Sequence, residues 1–232
     1  GQCAHPILWF IASLLDKSGV KTAYFFLWKE CDPSWLKFST RIRTVSTPTS
    51  QTSATAAVPF VSASSMTALV MRPPCGTKNP TWNQVKKAIG AFDFTGFQEL
   101  VFCGYGEPTC ALPLLEQTAR YVRRLHPRLN LRLNTNGLGS LENGRDIVPE
   151  LAGLLDSVSI SLNAPDEKEY NRVTKPTLTG AYKAMLDFAK ACKKSIPDTR
   201  MTVVDVLSPE DIEKSRKVAA SCGIKLRVRK FG

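Results

Sequence analysis

From Asn79 onward the chain alternates short runs of branched and aromatic residues with longer amphipathic stretches, and this alternation constrains its fold more than any other feature. Strand-like runs lie at 98–103, 129–133, 157–162, 200–206 and 225–228. Helical periodicity fills the intervals, at 111–125, 147–155, 167–172, 180–193 and 209–221. A further helix at 81–93 precedes the first strand. Thr81 and Gln84 form a capping box behind Pro80, and Trp82, Val85, Ile89 and Phe92 recur at helical spacing. A βαβα order predicts a parallel sheet with helices outside it. The helix at 81–93 then requires a strand before it, near residues 45–55.

That strand is missing from the sequence as written. Residues 44–78 are rich in Ser, Thr, Ala and Val and read as a linker. Residues 1–43 contain PILWFIASLL and AYFFLWKE, which fit helix or strand equally, and they stay unassigned. The chain therefore divides into an unassigned segment (1–43), a low-complexity segment (44–78) and an α/β core (79–232). The longest apolar run, Pro6–Leu15, is too short to cross a bilayer and has no basic start of the signal-peptide kind. A cytoplasmic protein without membrane partners is expected.

The formal net charge of +11 invites a nucleic-acid reading, which its distribution opposes. Residues 93–232 carry a net +4 and residues 1–92 a net +7, and the cations are scattered instead of clustered with aromatics. On the helix at 111–125, Leu112, Leu115, Ala119 and Val122 share one face, and Arg120, Arg123 and Arg124 on the other read as solvated. The cysteines at 3, 31, 75, 103, 110, 192 and 222 show no metal-ligand spacing and no disulfide framework. Cys103 and Cys110 flank one loop, but as ordinary thiols; no metal ligand is assigned.

Chemistry is concentrated where the strands end. In parallel α/β barrels the reactive groups sit at the C-terminal ends of the strands. Three successive ends carry GYGEP, NTNG and SLNAP. In the first, Gly104 and Gly106 let a ligand approach the backbone, Tyr105 stands between them, Pro108 stiffens the exit, and Glu107 offers one carboxylate suited to an ammonium group. The asparagines are also common turn formers, so each has a structural alternative.

ELVFCGYGEPT, RLNTNGLG, SVSISLNAPDEKEYNRV, MTVVDV and IKLRVRKFG, in that order, resemble the radical SAM superfamily, most closely the TatD-associated radical SAM proteins. The resemblance implies a partial (βα)6 TIM-like barrel. It also implies a [4Fe–4S] cluster that cleaves S-adenosylmethionine to a 5′-deoxyadenosyl radical, with a reductant such as flavodoxin or ferredoxin. By the same resemblance Gly104, Tyr105, Gly106, Glu107 and Pro108 hold the methionyl amino group, with Tyr105 a departure from the usual Gly-Gly-Glu-Pro. Asn134, Asn136, Ser161 and Asn163 would contact ribose and carboxylate. No substrate is implied.

The departure that matters is the absent C-x-x-x-C-x-x-C, since three thiolates must hold the cluster. As written, the chain is expected to lack cluster and radical activity. A reading frame displaced by one base turns cysteine codons into Ala or Val codons, and Ala54, Val58 and Val61 have the required spacing of four and three. Met66 forces an Asp codon in that shifted frame, in keeping with the Asp-Gly-x-Gly-Asp that follows the cluster loop. A frameshift between about Thr44 and Lys78 would explain the missing strand and the odd composition together. The alternative is a non-catalytic α/β module that binds a nucleotide-like ligand.

Overall fold

A computed structural model describes residues 11–15, 21–26, 80–103 and 107–230. One sheet of seven strands runs through it in the order β1 (Ile11–Leu15), β2 (Lys21–Phe26), β3 (Phe97–Cys103), β4 (Asn130–Thr135), β5 (Ser157–Ser161), β6 (Asp198–Val204) and β7 (Lys225–Arg229). β1 pairs antiparallel with β2, and the six strands from β2 to β7 are all parallel. The fold is therefore α/β with a six-stranded parallel sheet, consistent with a partial TIM-like barrel of the radical SAM type. The place beside β3 that the sequence gives to a strand near 45–55 is taken by Lys21–Phe26, out of the unassigned segment. Alanine, tyrosine and phenylalanine in KTAYFF suit that buried position, which residue type alone could not separate from helix. Residues 45–55 lie outside the described residues.

The helices follow their predicted positions closely. Those described are α1 (Trp82–Ala91), α2 (Leu112–Leu125), α3 (Gly139–Glu142), α4 (Val148–Ala152), α5 (Glu167–Thr174), α6 (Ala181–Ser195) and α7 (Pro209–Ser221). The capping box of α1 forms as expected: Gln84 N–H donates to the Thr81 hydroxyl, and the Gln84 side chain accepts from Thr81 N–H at 2.8 Å. α3 was not foreseen, and the helix expected over 147–155 is confined to Val148–Ala152, stopped by Gly153. Both are short pieces where glycine and proline obscure the period.

Strand alternation sorts the sheet into two faces. Leu100 and Phe102, Leu131 and Leu133, Val158 and Ile160, and Met201 and Val203 face the helices and form the core with Leu112, Leu115, Met185 and Phe188. Each fully buried Leu contributes about 1.5–3 kcal/mol. Positions of the other parity face the opposite side and include the polar Glu99, Arg132, Asn134, Ser159 and Ser161 beside Val101 and Cys103. On this side Tyr24 of β2 lies within electrostatic reach of Arg227 of β7. Five strand spacings of about 4.8 Å would separate these strands by roughly 24 Å in a flat sheet, so the sheet curls and its polar side is concave. Among the described residues no helix is long and apolar enough to cross a membrane.

Candidate functional site

The strand ends converge on a rim above the concave face. β3 stops at Cys103, and Gly104, Tyr105 and Gly106 lie outside the described residues. The chain resumes at Glu107, which caps a single 3-10 turn, Pro108–Ala111, with proline in the first-turn position that needs no N–H. Glu107 is buried, and its two oxygens accept four hydrogen bonds. Oε1 receives Thr109 N–H at 3.2 Å, the Thr109 hydroxyl at 2.8 Å and the Thr135 hydroxyl at 2.7 Å; Oε2 receives Asn136 N–H at 2.7 Å.

Thr135 has the parity of Leu131 and Leu133, so the Glu107 carboxylate is folded beneath the rim on the helix side and ties the end of β3 to the end of β4. Burial pushes its pKa up, and the hydrogen bonds from Asn136, Thr135 and Thr109 oppose that rise. Tyr170 lies within electrostatic reach; its pKa is pushed up to about 12, chiefly by burial, with Thr174 opposing and Glu107 adding. A carboxylate accommodates about four acceptor contacts, and the four donors here, three on Oε1 and one on Oε2, fill about that number.

The NTNG turn is equally fixed. Asn136 Oδ1 accepts Leu138 N–H at 2.8 Å, and Gly137 N–H donates to the Thr135 hydroxyl at 3.0 Å. Gly137 has φ +80, where a Cβ would lie 2.8 Å from Met185 Cγ. Only glycine fits both the conformation and the space. Asn143 Nδ2 bridges the carbonyls of Thr109 and Gly139 and locks the neighbouring loops together.

The residues assigned at the strand ends thus separate into two kinds. Asn136 is buried, and its side-chain oxygen and backbone N–H are spent on the turn. Asn134, Ser161 and Asn163 are half-buried, and their side chains make no hydrogen bond among the described residues. Asn134 and Ser161 have concave-face parity, and Asn163 adopts φ 64, which turns the chain sharply after β5. Thr135 is, with Thr109, a residue of this bracing set that the sequence does not single out. Its signal was available, since a threonine with the core parity of Leu131 and Leu133 needs a buried polar partner.

The polar floor beneath the rim includes Arg132, whose guanidinium meets Glu99 at 3.0 Å while its Nε is buried without a hydrogen bond. Cys103 stands at the end of β3 with its thiol pushed up to about 12, by burial first and against the opposing charge of Arg132. Cys103, Cys192 and Cys222 are free thiols, and Cys110 is disulfide-bonded. The expectation that Cys103 and Cys110 are both ordinary thiols therefore holds only for Cys103.

Two cofactors follow from the resemblance, and they fare differently against these residues. Three half-buried, unpartnered polar side chains at strand ends suit the ribose hydroxyls and carboxylate of S-adenosylmethionine. An iron–sulfur cluster finds no match: among the described residues no group of three or more His, Cys, Asp or Glu side chains could hold a metal ion. Ala54, Val58 and Val61 lie outside the described residues. No curated protein matches the chain. The family model described as the Radical SAM superfamily matches residues 62–219, well over half the length and all of the rim, and the chain belongs to the radical SAM superfamily.

Proposed function

We propose that this chain is a radical SAM enzyme by descent, of the TatD-associated type, whose strand-end rim binds S-adenosylmethionine and which, as written, generates no radical. The observation that carries the reading is the set of unpartnered side chains Asn134, Ser161 and Asn163, on a rim held rigid by Glu107. Bound at this rim, S-adenosylmethionine would supply an adenosyl group on a sulfonium centre. The Asn134 and Asn163 carboxamides would each offer a donor and an acceptor, and the Ser161 hydroxyl both, to ribose and carboxylate. Glu107 serves by holding the two loops in register from beneath the rim. Asn136 supports the rim from below, and the backbone of Gly104, Tyr105 and Gly106, with Pro108 behind it, would form the ammonium pocket.

No step is derived through a cluster, because no cysteine set in the sequence has the spacing to hold one. The free thiols Cys103, Cys192 and Cys222 favour a cytoplasmic setting and the disulfide at Cys110 opposes it, and a flavodoxin or ferredoxin would be called for only by a chain whose frame restores the cysteines. The test is equilibrium dialysis of S-adenosylmethionine against the full chain and against Asn134→Ala/Ser161→Ala. Saturable binding that weakens about tenfold or more in the double variant supports the reading. Equal binding by both proteins, or none by either, rejects it. The second reading, a nucleotide-like ligand module, is favoured by the missing cluster ligands; adenosine binding as tightly as S-adenosylmethionine would select it.

A further inference from the structure

Among the described residues the concave face holds more cation than its acids neutralise. On β7, Leu226 and Val228 pack against the core, so Lys225, Arg227 and Arg229 have the opposite, concave parity. The strand acids of this face are already paired, Glu99 with Arg132 and Asp198 with Arg200. Arg227 and Arg229 meet no carboxylate among the described residues. The charged neighbour that Arg229 feels most is Arg227, of like sign, and burial together with that repulsion lowers its pKa against the opposing effect of Tyr24. Although the sheet shields part of them, both side chains remain exposed, so the two like-charged guanidinium groups on this face are open to an anion from solution.

Their place relative to the rim is set by the register. Ser161 pairs with Thr202, and Thr202 with Arg227, so Arg227 stands at the level of the rim and about 10 Å across the sheet from Ser161. Arg229, opposite Val204, ends the last strand. Tyr24 approaches from β2; its hydroxyl makes no hydrogen bond among the described residues, and burial raises its pKa, so it stays a neutral donor. A guanidinium fork binds carboxylate or phosphate oxygens in pairs.

We infer that Arg227 and Arg229, with the Tyr24 hydroxyl, form an oxyanion subsite that takes a carboxylate or phosphate group of the substrate, about 10 Å across the concave face from the S-adenosylmethionine rim. This deepens the function proposed above and rests on it for the identity of the neighbouring ligand. The substrate class that follows is an anionic small molecule or the anionic end of a larger one.

Inorganic phosphate and succinate are the probes, titrated calorimetrically into the full chain at fixed ionic strength. The variants are Arg227→Gln/Arg229→Gln, Arg227→Lys/Arg229→Lys, and Lys86→Gln/Lys87→Gln on the exposed side of α1 as a control of equal charge loss. Expected is saturable binding of at least one probe, weakened about tenfold or more by the glutamine pair, partly by the lysine pair and not by the control. Tighter phosphate binding would identify a phosphate ester, and tighter succinate binding a carboxylate. Because +11 of net charge attracts anions everywhere, equal losses in the glutamine pair and the control would overturn the subsite. So would an absence of saturation with both probes. S-Adenosylmethionine affinity is measured on the same proteins. If it falls tenfold with the glutamine pair, the arginines belong to the rim and the separate subsite is refuted. Anion binding without S-adenosylmethionine binding would remove the proposed function and leave the subsite standing.

Discussion

Replacing Glu107 by alanine separates a carboxylate that braces the rim from one that only awaits a ligand. In the wild type its oxygens satisfy two buried backbone N–H groups, of Thr109 and Asn136, and two hydroxyls. The hydroxyls can rotate toward other acceptors, whereas the two N–H groups cannot. A buried donor left unmade costs about 1–3 kcal/mol, so Glu107→Ala should lose about 2–6 kcal/mol before any cavity term. In a domain of this size about 1 kcal/mol lowers Tm by roughly 2–4 °C, which makes the loss easy to read. Glu107→Gln keeps the acceptor at Oε1 but turns an NH2 toward Asn136 N–H, and should lose about 1–3 kcal/mol. Urea unfolding followed by circular dichroism measures both, and Thr135→Val, at about 1 kcal/mol, completes a double-mutant cycle with a coupling energy above 0.5 kcal/mol. Glu107→Ala within about 0.5 kcal/mol of the wild type would refute the brace.

Three further outcomes follow from the same packing. Iodoacetamide at pH 8 should leave the buried Cys192 unmodified in the folded chain, because burial pushes its thiol up to about 12; peptide mass spectrometry before and after denaturation reads this. Gly137→Ala should cost about 1–3 kcal/mol in urea unfolding, since its Cβ would meet Met185 and Ile160 at 2.8 and 3.0 Å at a positive φ. Arg123→Ala should cost about 1–2 kcal/mol, discounted for its partial exposure, while Arg124→Ala stays within about 0.5 kcal/mol.

That last pair shows where the sequence stops being legible. Helical spacing placed Arg120, Arg123 and Arg124 together on a solvated face, yet Arg123 donates to the carbonyls of Pro127, Leu129 and Leu154 and pairs with Asp156. Those acceptors come from the turns after α2 and α4, which periodicity does not bring together. The alternation of apolar runs, by contrast, carries its own geometry, and β3 to β7 and the long helices lie where it puts them. The rim was readable as a set of strand ends but not as a division of labour. Glu107 looked like a group at the mouth because proline and glycine surround it, and only the parity of Thr135 shows that it turns beneath the rim. The first parallel strand was unreadable for a different reason: KTAYFF pairs with β1 nearby and with β3 far along the chain, and its residue types alone fit helix as well as strand.

The proposed function joins a rim that would bind S-adenosylmethionine to a sequence in which no cysteines have the cluster spacing. It is tested most directly by titrating S-adenosylmethionine into the full chain before and after anaerobic iron–sulfur reconstitution, with 5′-deoxyadenosine quantified after dithionite. The same saturable isotherm in both preparations, with no 5′-deoxyadenosine, is predicted. Binding that appears only after reconstitution, or release of 5′-deoxyadenosine, would contradict it.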